Sequence, residues 1–264
     1  MRNIAMLRTT VPCVAWLALG SLPSCGGSES SPQTKVVGSP SLDTKRIAIV
    51  GASVSAGFGG APFGDAFTAA AKRSAVESEA NVFLFRDPIA GSHDQIEKAI
   101  AFKATTVIAI DFLFWDLYGS TDPAWRDDAL AKGLAELERA RVTGAWIVVG
   151  DVPHVVTAAE WMLPRSQVPD AGTLAAYNAK IEVWANRDRV LFVPFAAWAA
   201  PLATNETVEI APGEKVEARS LLAADGLHAN VLGVWFLLDK LDHFIESKLT
   251  GTPKDALVFK RPTL

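Results

Sequence analysis

The 264-residue sequence contains few of the residues that build disulfides, metal centres or nucleic-acid surfaces. It has two cysteines and four histidines, and no H-E-x-x-H or paired-cysteine pattern, so nothing in it predicts a metal site or a required cofactor. Its 25 lysines and arginines form no dense run and the net charge is −4, which argues against a nucleic-acid partner. Beyond the N-terminus, strongly apolar stretches are only about strand length and predict no membrane-spanning helix.

The N-terminus has the pattern of an export signal. Two arginines without an acidic residue precede the apolar stretch VPCVAWLALG. The following SLPSC resembles the lipobox of bacterial lipoproteins, which implies a signal peptide over residues 1–24 and lipid attachment to Cys25. A plain secretory signal is the alternative. The expected location is outside the cytoplasm, in the outer membrane or periplasm or on the cell surface, with the membrane contacted through the N-terminal lipid only.

Composition divides the remainder into three parts. Residues 25–44 are rich in serine, glycine and proline, cannot bury much apolar surface, and are predicted to be a flexible tether. Residues 45–250 are predicted to form one folded domain, and residues 251–264 a C-terminal tail.

The domain alternates apolar runs with helical patterns. The runs are mostly continuous rather than alternating, as expected for parallel strands that are covered on both faces. This β-α alternation predicts a three-layer α/β/α sandwich with a parallel, flavodoxin-like five-stranded sheet. The predicted strands are Arg46–Gly51, Asn81–Arg86, Thr105–Phe112, Ala145–Val152 and Arg189–Phe195. The predicted helices are Asp65–Ala75, Asp94–Phe102, Pro123–Arg141, Thr173–Asn186 and Val231–Lys248.

The stretch RIAIVGASVSAGFGG places small residues directly after the first strand. Ligands of such sheets lie beyond the carboxyl ends of the strands. The glycine spacing fits neither G-x-G-x-x-G nor G-x-x-x-x-G-K-[ST], so a phosphate-binding loop is not indicated. A serine nucleophile on a strand-to-helix turn is the remaining interpretation, with backbone N–H groups available to a developing oxyanion.

A nucleophilic serine needs a base and a group that orients the base. Among the four histidines, His228 lies in AADGLHANVLG, three residues after Asp225 and just before the last predicted helix. That spacing allows a carboxylate to meet Nδ1 of the ring. The alternative is that Asp225 and Asn230 only turn the chain into the helix. His93 and His154 follow other predicted strands and are possible site-lining residues.

Together, G-x-S-x-S-x-G after the first strand and D-G-x-H-x-N before the last helix resemble the SGNH (GDSL-type) hydrolase family. The resemblance implies Ser53 as nucleophile, His228 as general base and acid, and Asp225 as its orienting partner. It leaves Ser55 a role in the turn or in supporting the nucleophile.

The same resemblance implies an oxyanion hole and also shows where this chain departs from the family. The backbone N–H groups of Ser53 and, in DPIAGSHDQI, Gly91 are the expected donors. The family's G-x-N-D block has no counterpart in VIAIDFLFWDLYG, where alignment on either aspartate puts Trp115 or Leu113 at the asparagine position. The Trp115 indole N–H is a candidate replacement donor. Ala52 stands where the family commonly has aspartate.

The sequence therefore predicts a serine esterase acting on small-molecule or glycan esters, acetyl esters among them. The aromatics Phe112, Phe114, Trp115 and Trp161 are candidates to line its pocket. Two alternatives remain open: acyl transfer through the same triad, and a non-catalytic surface-binding protein on a decayed scaffold of this type.

Overall fold

The computed structural model describes residues 40–204 and 206–261. The expectations for the export signal and for Cys25 lie outside these residues.

Five short strands form one parallel sheet in the order β2-β1-β3-β4-β5, which confirms the predicted flavodoxin-like sheet. A separate antiparallel hairpin, β6–β7, follows the last strand of the sheet. The strands are β1 (Arg46–Ile49), β2 (Ala75–Ser78), β3 (Thr106–Ala109), β4 (Trp146–Gly150), β5 (Val190–Val193), β6 (Thr207–Ala211) and β7 (Glu214–Glu217).

Helices cover both faces of the sheet, as the sandwich prediction requires. The α-helices are α1 (Phe63–Ala70), α2 (Pro88–Ala101), α3 (Phe114–Tyr118), α4 (Pro123–Val142), α5 (Ala171–Ala185), α6 (Phe195–Ala199) and α7 (Val231–Lys248). Apolar side chains of α2, α4 and α5 pack with one face of the sheet in one buried cluster. Those of α1 and α7 pack with the opposite face in a second cluster. None of the helices among the described residues is long and apolar enough to cross a membrane.

The predicted second strand is wrong. The apolar run Asn81–Arg86 is a turn followed by a 3₁₀ helix, and the strand lies earlier, at Ala75–Ser78. The Asn81 side chain accepts the Phe83 backbone N–H at 2.8 Å, which folds the run into a turn. The true strand is polar and mostly exposed, and it lies at one edge of the sheet, where it pairs with β1 alone.

Both ends of the described chain pack against the domain. Leu42, in the segment expected to be a tether, is buried, and its backbone N–H donates to Thr252 Oγ1 at 2.8 Å. Leu257, in the expected tail, is also buried, and the Phe259 ring packs edge-on against Phe67 at 5.0 Å between ring centres. The packed part of the chain therefore extends beyond residues 45 and 250.

Candidate active site

The turn after β1 is held by a buried amide on α2. Gln95 Oε1 accepts the Gly51 backbone N–H at 2.6 Å, and Gln95 Nε2 donates to the Gly51 carbonyl at 3.0 Å. Gly51 has φ +146°, and a β-carbon at this position would overlap Asp111 Oδ1. Only glycine can turn the chain this close to a carboxylate.

The same turn wraps around the carboxylate of Asp111, which follows β3 and is almost fully buried. Asp111 Oδ1 accepts the Ala52 N–H at 3.1 Å and the Ser55 hydroxyl at 2.6 Å. Asp111 Oδ2 accepts the N–H groups of Val54 at 2.8 Å and Ser55 at 3.2 Å. Burial raises the pKa of the Asp111 carboxyl, and the hydrogen bonds from the turn oppose that rise. Four donors thus converge on one side chain and fix the turn.

These contacts distinguish the two serines of the motif. Ser55 is fully buried and its hydroxyl is committed to Asp111, which fits the supporting role predicted for it. Ser53 is half-buried and lines a cavity. Within residues 40–204 and 206–261, neither its hydroxyl nor its backbone N–H has a hydrogen-bond partner. Ser53 is therefore the serine of this turn that remains available to a ligand.

His228 and Asp225 form a buried hydrogen-bonded pair before α7. Asp225 Oδ2 lies 2.8 Å from His228 Nδ1, and Asp225 Oδ1 accepts the backbone N–H groups of Leu227 and His228, each at 2.9 Å. Burial acts to raise the pKa of the Asp225 carboxyl, but the hydrogen bonds from His228 and Leu227 outweigh it, and the net pKa is lowered. A carboxylate that stays ionised holds the Nδ1–H tautomer and leaves Nε2 as the proton acceptor.

The local sequence explains why this turn forms. Gly226 has φ +66°, and a β-carbon there would overlap the Thr157 carbonyl. The Thr157 hydroxyl donates to the Gly226 carbonyl at 2.7 Å, which ties the turn to the loop after β4. Asn230 begins α7 by accepting the Leu232 and Gly233 N–H groups at 3.1 and 3.0 Å. Asn230 therefore caps the helix, whereas Asp225 serves the imidazole.

Ser53 and His228 line one cavity at the carboxyl edge of the sheet, where the family resemblance places the nucleophile and base. Its volume is about 700 Å³, counting the solvent in its mouth. The two side chains share no hydrogen bond in the described part of the chain. The Phe58 ring packs on the imidazole at 4.5 Å between ring centres and shields it on one side.

The loop after β4 forms one wall of this cavity through residues 153–155 and Thr157. Tyr118 anchors that wall: its hydroxyl donates to the Pro153 carbonyl at 2.8 Å and accepts the Val155 N–H at 3.3 Å. Burial raises the pKa of Tyr118 to about 12, so its hydroxyl keeps the proton that it donates.

The structure does not bring Gly91 to the cavity. Helix α2 begins at Pro88, earlier than predicted, with the Asp87 side chain as its cap, and this places Gly91 in the first turn. The Gly91 N–H donates to the Asp87 carbonyl at 2.9 Å, and its α-carbon faces Leu84. A backbone N–H committed to a helix cannot serve an oxyanion, so the expected role of Gly91 is corrected.

Trp115 is near the site but is not among the residues that line the cavity. Its Nε1 is buried without a hydrogen-bond partner in the described part of the chain, and its ring packs against Phe85 and Phe114. Of the four aromatics considered as pocket walls, Phe114 lines the cavity. Phe112 is in the core, and Trp161 is 75% exposed.

The remaining histidines lie elsewhere, apart from His154, which is exposed at the cavity. His93 is on α2 beside Glu136, and His243 is on the surface of α7. Among the described residues, no three histidine, cysteine, aspartate or glutamate side chains come together as a metal site would require.

Sequence reasoning missed Gln95 and Asp111, the two side chains that hold the turn after β1. One signal was present. Ala52 replaces the carboxylate that the family commonly has at that position, and Asp111 is an isolated carboxylate at the end of an otherwise apolar strand.

No family model matches the chain, and no curated protein does. Several solved structures match the chain. Axe2, an acetylxylan esterase from Geobacillus stearothermophilus, matches with a TM-score of 0.51 at 17% identity over 77% of this chain and 95% of that one. TesA matches with a TM-score of 0.51 at 18% identity over 78% and 100%. A candidate GDSL-like lipase from Parabacteroides merdae ATCC 43184 matches with 0.53 at 14% identity over 79% and 97%. The chain thus has the α/β/α fold that these three structures share.

Proposed function

We propose that this protein is a serine ester hydrolase of the SGNH type in which Ser53, His228 and Asp225 act as a triad. The observation that carries the proposal is the buried Asp225–His228 pair, whose imidazole lines the same cavity as Ser53. The free hydroxyl of Ser53, beside a Ser55 hydroxyl that is fully committed, supports the choice of nucleophile.

The reaction follows from this arrangement. Ser53 Oγ attacks the ester carbonyl carbon while His228 Nε2 accepts its proton. The bond to the alcohol oxygen breaks, and the alcohol leaves with the proton from the imidazolium. Water then gives a proton to the same nitrogen and attacks the acyl-enzyme, which releases the acid and returns the proton to Ser53. In the described part of the chain no hydrogen bond restrains rotation of Ser53 Oγ about χ1.

The small number of available oxyanion donors predicts slow turnover. The Ser53 backbone N–H is free to donate, whereas the Gly91 N–H is committed to its helix and the family asparagine is absent. Loss of one preorganised donor costs about 10²–10³-fold in turnover. This same observation favours a second candidate, a surface-binding protein that keeps the fold and little catalysis.

A panel of p-nitrophenyl esters and acetylated sugars tests the proposal with purified wild-type protein and Ser53→Ala. We expect ester release by the wild type, no release above background by Ser53→Ala, and wild-type rates for the matched control Ser247→Ala on the surface of α7. Equal rates in wild type and Ser53→Ala would refute the triad. No release by either protein would favour the binding protein.

We also propose that the protein is an exported lipoprotein, on the basis of the SLPSC motif. Mass spectrometry of the N-terminal peptide from the membrane fraction tests this. We expect a chain that begins at Cys25 with lipid on its sulfur and on its new amine, and Cys25→Ser is expected to abolish the modification. An uncleaved or unlipidated N-terminus would overturn it.

A further inference from the structure

A second cleft lies at the amino edge of the sheet, opposite the edge that carries the proposed triad. Its walls come from the turn before β1, from the end of α1 with the turn before β2, and from the C-terminal segment. Its charged lining side chains are the cations Lys45, Lys72, Arg73 and Lys260 and one anion, Asp255. We name this feature the basic cleft.

Ion pairs do not neutralise the cations of the basic cleft. In the described part of the chain Lys72, Arg73 and Lys260 make no salt bridge, and Lys45 reaches Asp43 at 3.8 Å. All four cations are exposed. Cations on α2 and α4 are instead paired with carboxylates, namely those of Lys98, Lys132, Arg139 and Arg141. A chain of net charge −4 therefore presents a local positive surface at this edge.

Backbone hydrogen bonds join the walls of the basic cleft. The Ala75 N–H donates to the Lys45 carbonyl at 2.9 Å, which joins the turn before β1 to the start of β2. The Val258 N–H donates to the Ala70 carbonyl at 3.3 Å, which joins the C-terminal segment to the end of α1. The four cations therefore belong to one surface that the fold holds in place.

The described chain enters the domain beside this cleft. The Gly251 N–H donates to the Pro40 carbonyl at 3.0 Å, and Pro253, two residues further on, lines the cleft. Cys25, the proposed site of lipid attachment, is fifteen residues before Pro40. A chain of that length spans at most about 50 Å when fully extended. A lipid on Cys25 would therefore hold this edge of the domain near a membrane.

We propose that the basic cleft docks the domain on the anionic phospholipid headgroups of the membrane that holds its lipid. The proposal rests on the proposed lipid attachment, which selects a membrane among anionic partners. Docking through the amino edge turns the cavity of Ser53 and His228, at the carboxyl edge, away from that membrane. The esters that reach the cavity then come from the aqueous side rather than from the lipids of the same membrane.

The opposite edge of the sheet offers a competing membrane contact. Exposed aromatic side chains follow β1, β2 and β4 there, namely Phe58, Phe83, Phe85 and Trp161. Aromatic side chains favour the interface of any bilayer. Cations need anionic lipid, and their attraction weakens as salt is added. The dependence of binding on lipid charge and on salt therefore distinguishes the two contacts.

Partitioning onto vesicles tests the proposal with the full chain carrying Cys25→Ser, which removes the lipid. Vesicles of phosphatidylcholine with about one-third phosphatidylglycerol are compared with vesicles of phosphatidylcholine alone. The ratio of the two partition coefficients cancels any binding that does not depend on lipid charge. Each basic residue near an anionic surface contributes about fivefold. We expect Lys72→Gln, Arg73→Gln and Lys260→Gln together to lower the ratio on the order of 100-fold at low salt.

A matched control removes two lysines and one arginine elsewhere on the surface. Lys215, Arg219 and Lys240 are exposed, do not line the cleft, and make no salt bridge in the described part of the chain. We expect their combined replacement by glutamine to keep the parent ratio. An equal loss in both triple variants would assign the binding to net charge and overturn the proposal.

Two results with the parent chain would also overturn it. Equal binding to both kinds of vesicle, unchanged by salt, would favour the aromatic contact. Displacement from anionic vesicles by inorganic phosphate, but not by chloride at the same ionic strength, would make the cleft a site for small anions. Neither result depends on whether a triple variant folds, and the midpoint of urea unfolding checks the folding of both variants.

The outcomes separate the cleft from the proposed lipid attachment. If Cys25 carries no lipid but the cleft variant still lowers the ratio, the lipoprotein proposal fails and the contact with anionic lipid stands. If Cys25 is lipidated and the folded cleft variant keeps the parent ratio, the cleft is refuted and the lipoprotein stands. Because the cleft and the triad lie at opposite edges, we expect the cleft variant to keep the parent kcat/KM for p-nitrophenyl acetate.

Discussion

Replacing Asp111 with asparagine should lower the free energy of unfolding, whereas the same change at Asp116 should raise it. Both aspartates are buried after β3, five positions apart. Asp111 accepts four hydrogen bonds from the turn after β1. Neither oxygen of Asp116 has a partner in the described part of the chain, and the carboxyl packs against Gly133 of α4. The two substitutions together test whether the hydrogen-bond partners of a buried carboxylate decide if its replacement lowers or raises the free energy of unfolding.

The magnitude at Asp111 follows from its partners. In Asp111→Asn an amide nitrogen replaces one carboxylate oxygen and faces two donors, either the Val54 and Ser55 N–H groups or the Ala52 N–H and the Ser55 hydroxyl. Each lost hydrogen bond to a charged group costs about 1.5–3 kcal/mol, so two cost about 3–6 kcal/mol. The turn also positions Ser53, and a displacement of about 1 Å costs on the order of 10²-fold in turnover.

The effect at Asp116 depends on pH. Burial without a partner raises the pKa of the Asp116 carboxyl well above its ordinary value. The folded state then holds a proton that the unfolded state has lost, so stability falls as pH rises above the ordinary aspartate pKa. The slope is at most about 1.36 kcal/mol per pH unit, and it ends at the raised pKa. Asp116→Asn removes this titration, so its gain in stability should grow between pH 5 and pH 8.

Urea unfolding followed by tryptophan fluorescence measures both effects, with ester hydrolysis as the second readout. We expect the free energy of unfolding to fall for Asp111→Asn and to rise for Asp116→Asn, more at pH 8 than at pH 5. Wild-type stability and turnover in Asp111→Asn would show that the carboxylate does not hold the turn. A loss of stability in Asp116→Asn, equal at both pH values, would contradict the account of that buried group.

Three further substitutions probe the site. Gly226→Ala should lower both turnover and the unfolding temperature, because its φ is positive and its methyl group would overlap the Thr157 carbonyl; an unchanged unfolding temperature would contradict this. Asp225→Asn should slow turnover about 10⁴-fold, as loss of the orienting carboxylate does in serine triads. The lowered pKa of Asp225 stabilises the folded state at pH values above the ordinary aspartate pKa. This stability is lost as pH falls through the lowered pKa. Acidification should therefore reduce the free energy of unfolding less in Asp225→Asn than in the wild type. Trp115→Phe should leave turnover unchanged. It should raise the free energy of unfolding by up to about 1–3 kcal/mol, because it removes a buried donor that has no partner in the described part of the chain. Turnover slowed by about 10²-fold would instead place the indole in the oxyanion hole.

The strands were predictable where their residues are mostly apolar, and the prediction failed where they are polar. Strands β1, β3, β4 and β5 are apolar runs because neighbours or helices cover them, and the predicted β-α alternation is confirmed. Strand β2 is a polar edge strand, so a search for apolar runs does not identify it. The nearby apolar run that includes Phe83 and Phe85 was predicted instead. Those two aromatics are exposed and form no strand.

In the candidate site, contacts between residues close in sequence were predictable and contacts between distant residues were not. Asp225 and His228 are three positions apart, so local spacing could pair them. The contacts that hold the nucleophile turn join residues that are 44 and 59 positions apart, and no local pattern reports them. Gly91 illustrates a further limit: α2 begins six residues earlier than predicted, at Pro88 with Asp87 as its cap, and this converts an expected oxyanion donor into an ordinary helix residue.

Covalent labelling with a p-nitrophenyl alkylphosphonate tests the central claim most directly, because a phosphonate forms a stable adduct with a serine activated by its own histidine. The account predicts one adduct per chain, mapped by peptide mass spectrometry to Ser53, absent from Ser53→Ala and strongly reduced in His228→Ala. An adduct on Ser55, or labelling that persists in Ser53→Ala, would contradict it.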